Sequence, residues 1–214
     1  GNRSHLRAQP DLHTGLDHKG VDRTAVCCLS SVNAEKFLEW KSEEMFLEDV
    51  FRFLDNVLEA FIKRAPPEMA RAVYSAKRER SVGLGLMGFH SFLQSQNVAM
   101  ESATAKAWNN VMFKHLRRGS DAASVKLAKE RGACPDAEDC GVMARFSHKL
   151  AIAPTASISI ICGGTSAGIE PIPANIYTHK TLSGSFSVKN PFLEATLEKT
   201  GNNTPGVWAT ILEN

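Results

Sequence analysis

The sequence lacks several features that would each define a class of protein. No hydrophobic run in its 214 residues approaches the roughly 18 that a membrane-spanning helix needs. The first residues, GNRSHLRAQPDLHTG, lack the apolar core of a signal peptide. A formal net charge of only +2 gives no electrostatic case for binding nucleic acid or an anionic membrane surface. We therefore expect neither a nucleic acid nor a membrane as a partner.

The cysteines lack the spacing of a metal site or of a disulfide framework. There are five of them, an odd number, and Cys27 and Cys28 are adjacent. Cys134, Cys140 and Cys162 do not form the short pairs that bind zinc, so we expect no metal site. This usage favours a reducing, cytoplasmic compartment, where an unusual thiol suggests redox chemistry or metal binding before a structural role.

What the sequence does contain is an alternation of short apolar strands and long helices. Helical spacing of apolar residues predicts one helix over Glu43–Arg64 and another over Ser102–Lys129, which stops at Gly132. Short buried strands are predicted at Arg23–Leu29, where the following SSVN would be a turn or helix start, and at Lys149–Ala153. This order is typical of parallel strands joined by helical crossovers, and it predicts an α/β fold.

The segment GLGLMG, from Gly83 to Gly88, matches the dinucleotide-binding fingerprint GxGxxG letter by letter. No strand ending in Asp or Glu follows about 20 residues later, as that fingerprint requires. We favour the simpler interpretation that the glycines let a strand and a helix pack closely. Nucleotide binding at this segment is the alternative.

The paired thiols Cys27 and Cys28 fall in or at the end of a predicted strand. Adjacent residues of a strand point to opposite faces, so only one of the two can serve a given site. Both can be small buried side chains of the core. Alternatively, one is a redox-active thiol at the carboxyl end of a strand, where α/β folds bind their substrates.

A basic segment, AKRERS at Ala76–Ser81, lies near Arg71. Charge runs of this kind are usually solvated. We therefore predict a charged, solvent-exposed helix end here.

The run Ile152–Ile172 reads IAPTASISIICGGTSAGIEPI and follows a predicted strand. It places the hydroxyls of Thr155 and Ser157, together with free backbone N–H groups, at a helix start, which is an arrangement that binds anions. The run contains no lysine and no GK[ST], which excludes a nucleoside triphosphatase P-loop. The residues alone leave two interpretations equally open: a phosphate site, or a plain helix cap followed by a glycine turn.

Three segments resemble the large catalytic subunit of ribonucleotide reductase, most closely the aerobic class I bacterial type: RTAVCCLSSVN, ERSVGLGLMGFHSFLQ and IAPTASISIICGGTSAGIEPIPANIYTHKTLSGSFSVKNP. The resemblance begins at about Thr14. It implies a ten-stranded α/β barrel with a central finger loop, of which we expect this chain to be an incomplete, middle portion. It divides the chain into a divergent finger-loop remnant at residues 1–20 and a partial catalytic barrel domain at 21–214.

The family replaces the ribose 2′-hydroxyl of ribonucleoside diphosphates with hydrogen, for DNA precursor synthesis. A cysteine thiyl radical abstracts the 3′-hydrogen, and two further cysteines supply electrons by forming a disulfide. The resemblance implies that Cys27 is the second of those two and that Cys28 is not catalytic. Glu170 lies near the site in the family, and we assign it no role. The resemblance also implies a loop that holds the substrate diphosphate through two hydroxyls and two backbone amides: Thr155, Ala156, Ser157 and Ile158.

The beginning of the chain departs from the family's finger loop, SNLCxExxLPTG. In the register that keeps Thr14 and Gly15, His5 replaces the substrate-binding asparagine. Arg7 stands where the thiyl-forming cysteine should be, and Gln9 where the general-base glutamate should be. Arginine cannot form a thiyl radical, and glutamine cannot accept a proton as a carboxylate does. We therefore expect that this chain alone does not turn over.

The resemblance also implies partners and cofactors that lie outside this chain. The family needs a radical-generating, metal-containing small subunit, thioredoxin or glutaredoxin, and ATP or dNTP effectors, and its full-length large subunit forms a homodimer. We expect no cofactor bound in this chain, and the remaining portion of the large subunit as a partner. One alternative is an inactive fragment that binds nucleoside diphosphates or keeps subunit contacts. Another is a decayed gene piece without function.

Overall fold

The computed structural model describes residues 16–26, 28–181 and 184–213. Its strands are β1 (Leu29–Asn33), β2 (Gly83–Met87), β3 (Ile176–Thr181) and β4 (Gly184–Lys189). Its helices are α1 (Phe37–Trp40), α2 (Phe46–Arg64), α3 (Ala70–Glu79), α4 (Phe89–Ser95), α5 (Ala103–Arg131), α6 (Pro135–Asp139), α7 (Ile158–Ile161), α8 (Pro191–Lys199) and α9 (Pro205–Glu213). Short 3-10 turns lie at Ala34–Lys36 and Pro67–Met69.

Three parallel segments lie side by side at the centre of the chain. β1 pairs with β2 in parallel, from Leu29 opposite Gly83 to Asn33 opposite Met87. A single parallel bridge joins Leu84 to Leu150, where the Leu84 N–H donates to the Lys149 carbonyl at 2.9 Å. The parallel α/β arrangement is therefore as predicted, although the strand predicted at Lys149–Ala153 forms only this bridge at Leu150, and the described sheet is not closed.

The predicted position of the first strand was wrong. The strand begins at Leu29 and covers SSVN, which was expected to be a turn or a helix start, while Arg23–Val26 lies outside the regular pairing. An apolar run shows that a segment is buried, but its partner strand decides which residues pair. Here that partner is GLGLM, whose five residues are all buried and pair with Leu29–Asn33.

The two long helices were predicted correctly from their periodicity. α2 buries Leu54 and Leu58, and the 29-residue α5 buries Met112 and Leu116 in the same core. The Ser102 hydroxyl caps α5 by accepting from the Ala105 N–H at 3.1 Å. Helical spacing and caps act within three or four residues, so the sequence alone specifies both helices.

The glycines of GLGLMG serve close packing, as predicted, but Gly83 and Gly85 face Ala151 and Gly88 faces Thr165, and none of them faces a helix. A Cβ at Gly85 would lie 2.3 Å from the carbonyl oxygen of Ala151, and one at Gly83 would lie 2.8 Å from the Ala151 Cβ. Gly88 has a φ of +75°, and a Cβ there would lie 2.3 Å from the Thr165 Oγ1. These contacts bring the segment after Lys149 tightly against β2.

The expectation of a solvated basic patch was wrong for Arg78 and Arg80, whose side chains are 13% and 7% exposed. The Arg80 Nε donates to the Asp55 Oδ1 at 2.8 Å. Arg78 pairs with Asp136 and Asp139. Arg80 is buried and Arg78 is half-buried, because carboxylates distant in sequence meet them.

Two buried ion-pair clusters result. In one, Asp55 of α2 accepts hydrogen bonds from Arg80, Arg131 and Arg145. In the other, the Arg23 guanidinium, 1% exposed, contacts three carboxylates: Asp17 at 2.8 Å, Asp136 at 2.5 Å and Glu79 at 3.1 Å.

These clusters predict a loss of stability in acid. Burial alone raises the pKa of Asp55, but hydrogen bonds from Arg145 and Arg131 outweigh it and hold that pKa below its usual value. The pKa of Asp17 is lowered in the same way, by backbone hydrogen bonds and Arg23. Carboxylates with lowered pKa stabilise the fold fully above their unfolded pKa, about 4, and lose that contribution as the pH falls through the folded value.

Two histidines add a smaller effect at higher pH. Burial lowers the pKa of His90 and of His115, so the unfolded chain protonates first and the fold loses stability below about pH 6.5. We expect urea unfolding midpoints to decline gently from pH 7 to pH 5 and steeply below about pH 4. A midpoint at pH 3 equal to that at pH 7 would contradict the assignment.

The C-terminal part of the described chain consists of the antiparallel β3–β4 pair and two helices. The Asn190 side chain caps α8 by accepting from the Phe192 N–H at 3.1 Å. Among the residues that the structure describes, no helix combines the length and the apolar character that crossing a membrane requires.

Candidate functional site

His5, Arg7 and Gln9, which stand at the family's finger-loop positions, and the predicted redox thiol Cys27 lie outside the described residues. Their roles stay predictions. The neighbouring Cys28 is partly buried, and its thiol donates to the Leu54 carbonyl of α2 at 3.7 Å. Cys28 thus packs on the helix side of the sheet.

The predicted diphosphate loop, 154–158, begins three residues after Ala151 of the third parallel segment. Because this segment runs parallel to β2, the loop emerges at the same edge of the sheet as Gly88, which follows β2. α/β sheets bind their ligands at this carboxyl edge. The loop therefore lies where a substrate site is expected.

Thr155 determines how the loop turns. Its backbone has a φ of +54°, a left-handed conformation that a residue with a branched side chain seldom adopts. The side chain is buried, and its Oγ1 accepts a hydrogen bond of 2.7 Å from the Gly168 N–H. A hydroxyl that accepts one bond keeps its hydrogen for donation. Thr155 thus anchors the loop and still offers a donor.

The next three residues, Ala156, Ser157 and Ile158, are exposed. Their backbone N–H groups donate to no other described residue, whereas the following N–H, of Ser159, donates to the Thr155 carbonyl at 3.0 Å. The Ser157 hydroxyl caps no helix. The loop therefore presents three successive amide N–H groups and a hydroxyl, and each of them can donate a hydrogen bond to an anion.

The segment GGTSAGIEP packs behind the loop against the start of α4. The Gly88 N–H donates to the Ser166 carbonyl at 2.7 Å. The backbone N–H groups of Ser91 and Ser166 each donate to the other residue's hydroxyl, at 3.1 and 2.9 Å. Sequence reasoning missed Ser91 and Ser166, because two serines 75 residues apart give no local signal.

The end of the same stretch is held by His90. Its Nδ1 accepts from the Ile172 N–H at 3.1 Å, which leaves the ring neutral with its hydrogen on Nε2. Burial lowers the pKa of His90 and favours this neutral form. Glu170 is exposed. No group of three or more His, Cys, Asp or Glu side chains within 16–26, 28–181 and 184–213 is arranged to hold a metal ion.

Comparison with known proteins identifies the class to which this fold and loop belong. The family described as "Ribonucleotide reductase, barrel domain" matches residues 8–142 and 136–214. The chain is 48% identical over 194 residues to the ribonucleoside-diphosphate reductase large subunit of Invertebrate iridescent virus 6, covering 90% of this chain and 20% of that protein. It is 42% identical over 227 residues to the putative ribonucleoside-diphosphate reductase large subunit of Frog virus 3 (isolate Goorha), covering 97% and 40%.

Comparison with a solved structure indicates the same family. The Actinobacillus ureae class Id ribonucleotide reductase alpha subunit superposes with a TM-score of 0.81 at 34% identity, over 99% of this chain and 41% of that one. The chain belongs to the ribonucleotide reductase family and forms part of its α/β barrel domain. It spans from 20% to 41% of the length of these relatives.

Proposed function

We propose that this chain is a barrel segment of a ribonucleoside-diphosphate reductase large subunit, and that residues 155–158 hold the substrate diphosphate. One observation carries the proposal: three successive amides that donate to no other described residue, at the carboxyl edge of a parallel sheet, in a chain of this family. Backbone N–H groups directed at one point bind phosphate oxygens well, because each bond is charge-assisted.

In the whole enzyme, Cys27 would be one of two thiols that reduce the substrate. Two thiols give up two electrons and two protons and become a disulfide, while the 2′-hydroxyl leaves as water and a hydrogen takes its place. Thioredoxin or glutaredoxin would then reduce the disulfide. A small subunit would supply the radical, ATP or dNTP effectors would bind elsewhere on a dimeric large subunit, and the assembly would serve DNA replication in the cytoplasm.

A second candidate function follows from the first residues of the chain. Arg7 and Gln9 stand at the positions of the thiyl-forming cysteine and the general base, and neither side chain can do that chemistry. A chain that keeps the diphosphate loop without them would bind a nucleoside diphosphate and not reduce it. Both candidates share the loop, so one experiment addresses both.

We expect the purified chain to bind CDP more tightly than cytidine in a calorimetric titration. Ser157→Ala should weaken CDP binding about tenfold, the effect of one hydrogen bond to a charged group, and leave cytidine binding unchanged. Ser187→Ala, an exposed serine on β4, is the matched control and should change neither. With a small subunit and a dithiol added, no deoxycytidine diphosphate should form.

The diphosphate loop and the inactive fragment are each contradicted by a different result. Equal affinity for CDP and cytidine, or CDP binding that Ser157→Ala leaves intact, would refute the diphosphate loop. Formation of deoxycytidine diphosphate would refute the inactive fragment and favour the complete enzyme.

A further inference from the structure

The start of α4 is capped by a distant segment and not by its own residues. Gly88, which precedes the helix, has no side chain to accept from the first N–H groups, which lack partners within the helix. The Ser166 hydroxyl accepts from the Ser91 N–H, and the Gly168 carbonyl accepts from the Phe89 N–H at 3.4 Å. The segment 166–168 therefore replaces a local helix cap.

The contact between the two serines is reciprocal and buried. Each hydroxyl accepts from the other residue's backbone N–H, and both residues are 3% exposed. A Cβ at Gly88 would lie 2.3 Å from the Thr165 Oγ1, so the two segments are in direct contact and cannot approach more closely. The serine pair, Ser91 with Ser166, thus fixes one segment on the other.

The same segment is also bonded to the diphosphate loop. Two residues after Ser166, the Gly168 N–H donates to the Thr155 Oγ1 at 2.7 Å. Thr155 holds the left-handed conformation, φ +54°, that sets the direction of the amides after it. A continuous series of hydrogen bonds therefore runs from α4 through 166–168 to Thr155.

We infer that the serine pair is a positioning element for the diphosphate loop. This inference rests on the proposed function of residues 155–158. Ser91 and Ser166 do not touch the ligand, because both residues are only 3% exposed. They act by holding Gly168, which holds Thr155, so that the amides of 156–158 are arranged for an anion before one binds. Such preorganisation raises affinity for the group that the amides contact.

The test uses Ser91→Ala, Ser166→Ala and the double variant, with Ser120→Ala as the matched control. Ser120 is also a fully buried serine, and its hydroxyl donates to the Arg117 carbonyl of α5, in another part of the fold. We expect each single variant to weaken CDP binding about tenfold and to change cytidine binding less than twofold. Each single variant removes one of the two hydrogen bonds between the segments, so the double variant, which removes both, should weaken CDP binding more than either single one.

The possible results separate a failure of this inference from a failure of the proposed function. Parallel losses of CDP and cytidine affinity, or CDP affinity unchanged in the folded variants, would overturn the inference alone. A wild-type chain that binds no CDP would overturn the proposed function and this inference together. If the variants do not fold, amide hydrogen exchange of the wild-type chain with and without CDP tests the inference instead. CDP should slow exchange at Ser91 and Gly168 but not in α5, and unchanged rates there would overturn the inference.

Discussion

Asp55→Ala is expected to lower the free energy of unfolding by about 3–5 kcal/mol, the usual effect of removing one partner from a buried ion pair. Asp55 is 1% exposed and accepts from Arg80 at 2.8 Å, from Arg131 at 2.8 Å and from Arg145 at 3.1 Å. Without the carboxylate, three arginines face one another, and Arg80 at 7% exposure has little access to water. The effect should therefore far exceed that of an exposed ion pair.

Urea unfolding followed by circular dichroism measures this difference. Asp49→Ala, on the exposed face of the same helix, is the control and should change stability by less than about 1 kcal/mol. The structural consequence is specific, because Asp55 joins α2 to the end of α3, the end of α5 and the segment before Lys149. Equal stability of the two variants would show that the cluster does not hold these elements together.

Gly85→Ala is the second large expected effect, a loss of about 1–3 kcal/mol or more from overpacking. A Cβ at this position would lie 2.3 Å from the carbonyl oxygen of Ala151. Backbone cannot move aside as a flexible side chain can, so β2 and the segment before the diphosphate loop would have to separate. We therefore also expect Gly85→Ala to weaken CDP binding, through displacement of the loop that follows Ala151.

Gly206→Ala provides the matched control for this prediction. Gly206 lies in α9, and a Cβ there would meet nothing within 4 Å. Alanine also suits a helix better than glycine, so stability should be unchanged or raised by up to about 1 kcal/mol. Thermal unfolding of both variants makes the comparison. A Gly85→Ala midpoint equal to that of Gly206→Ala would exclude the close approach of the two strands.

The two helices and the incomplete α/β barrel were predictable because their signals are local or shared with a family. The periodicity of α2, the Ser102 cap and Gly132 at the end of α5 are patterns within a few residues. The long run Ile152–Ile172 is distinctive enough to indicate the ribonucleotide reductase family. The proposal that residues 155–158 hold a diphosphate came from that resemblance, since the residues alone left a phosphate site and a plain turn equally open.

Other features required the folded chain. Arg78 and Arg80 look like a solvated basic patch in the sequence, yet carboxylates far along the chain bury them. The first strand is displaced to Leu29–Asn33 because the register with β2, and not the apolar run, decides which residues pair. The glycines that suggest a nucleotide-binding fingerprint instead allow two backbone segments to pack closely. A Cβ at Gly85 would lie 2.3 Å from the carbonyl oxygen of Ala151.

The sequence by itself determined the long helices, the α/β class and, through its motifs, the family. Only the tertiary structure decided that Thr155 anchors the loop through Gly168 and that Ser91 and Ser166 support it from 75 residues apart. The physical reason is the separation along the chain between the residues that interact. Helical spacing and capping act between residues a few positions apart, whereas hydrogen bonds and ion pairs between distant segments exist only after the chain brings those segments together.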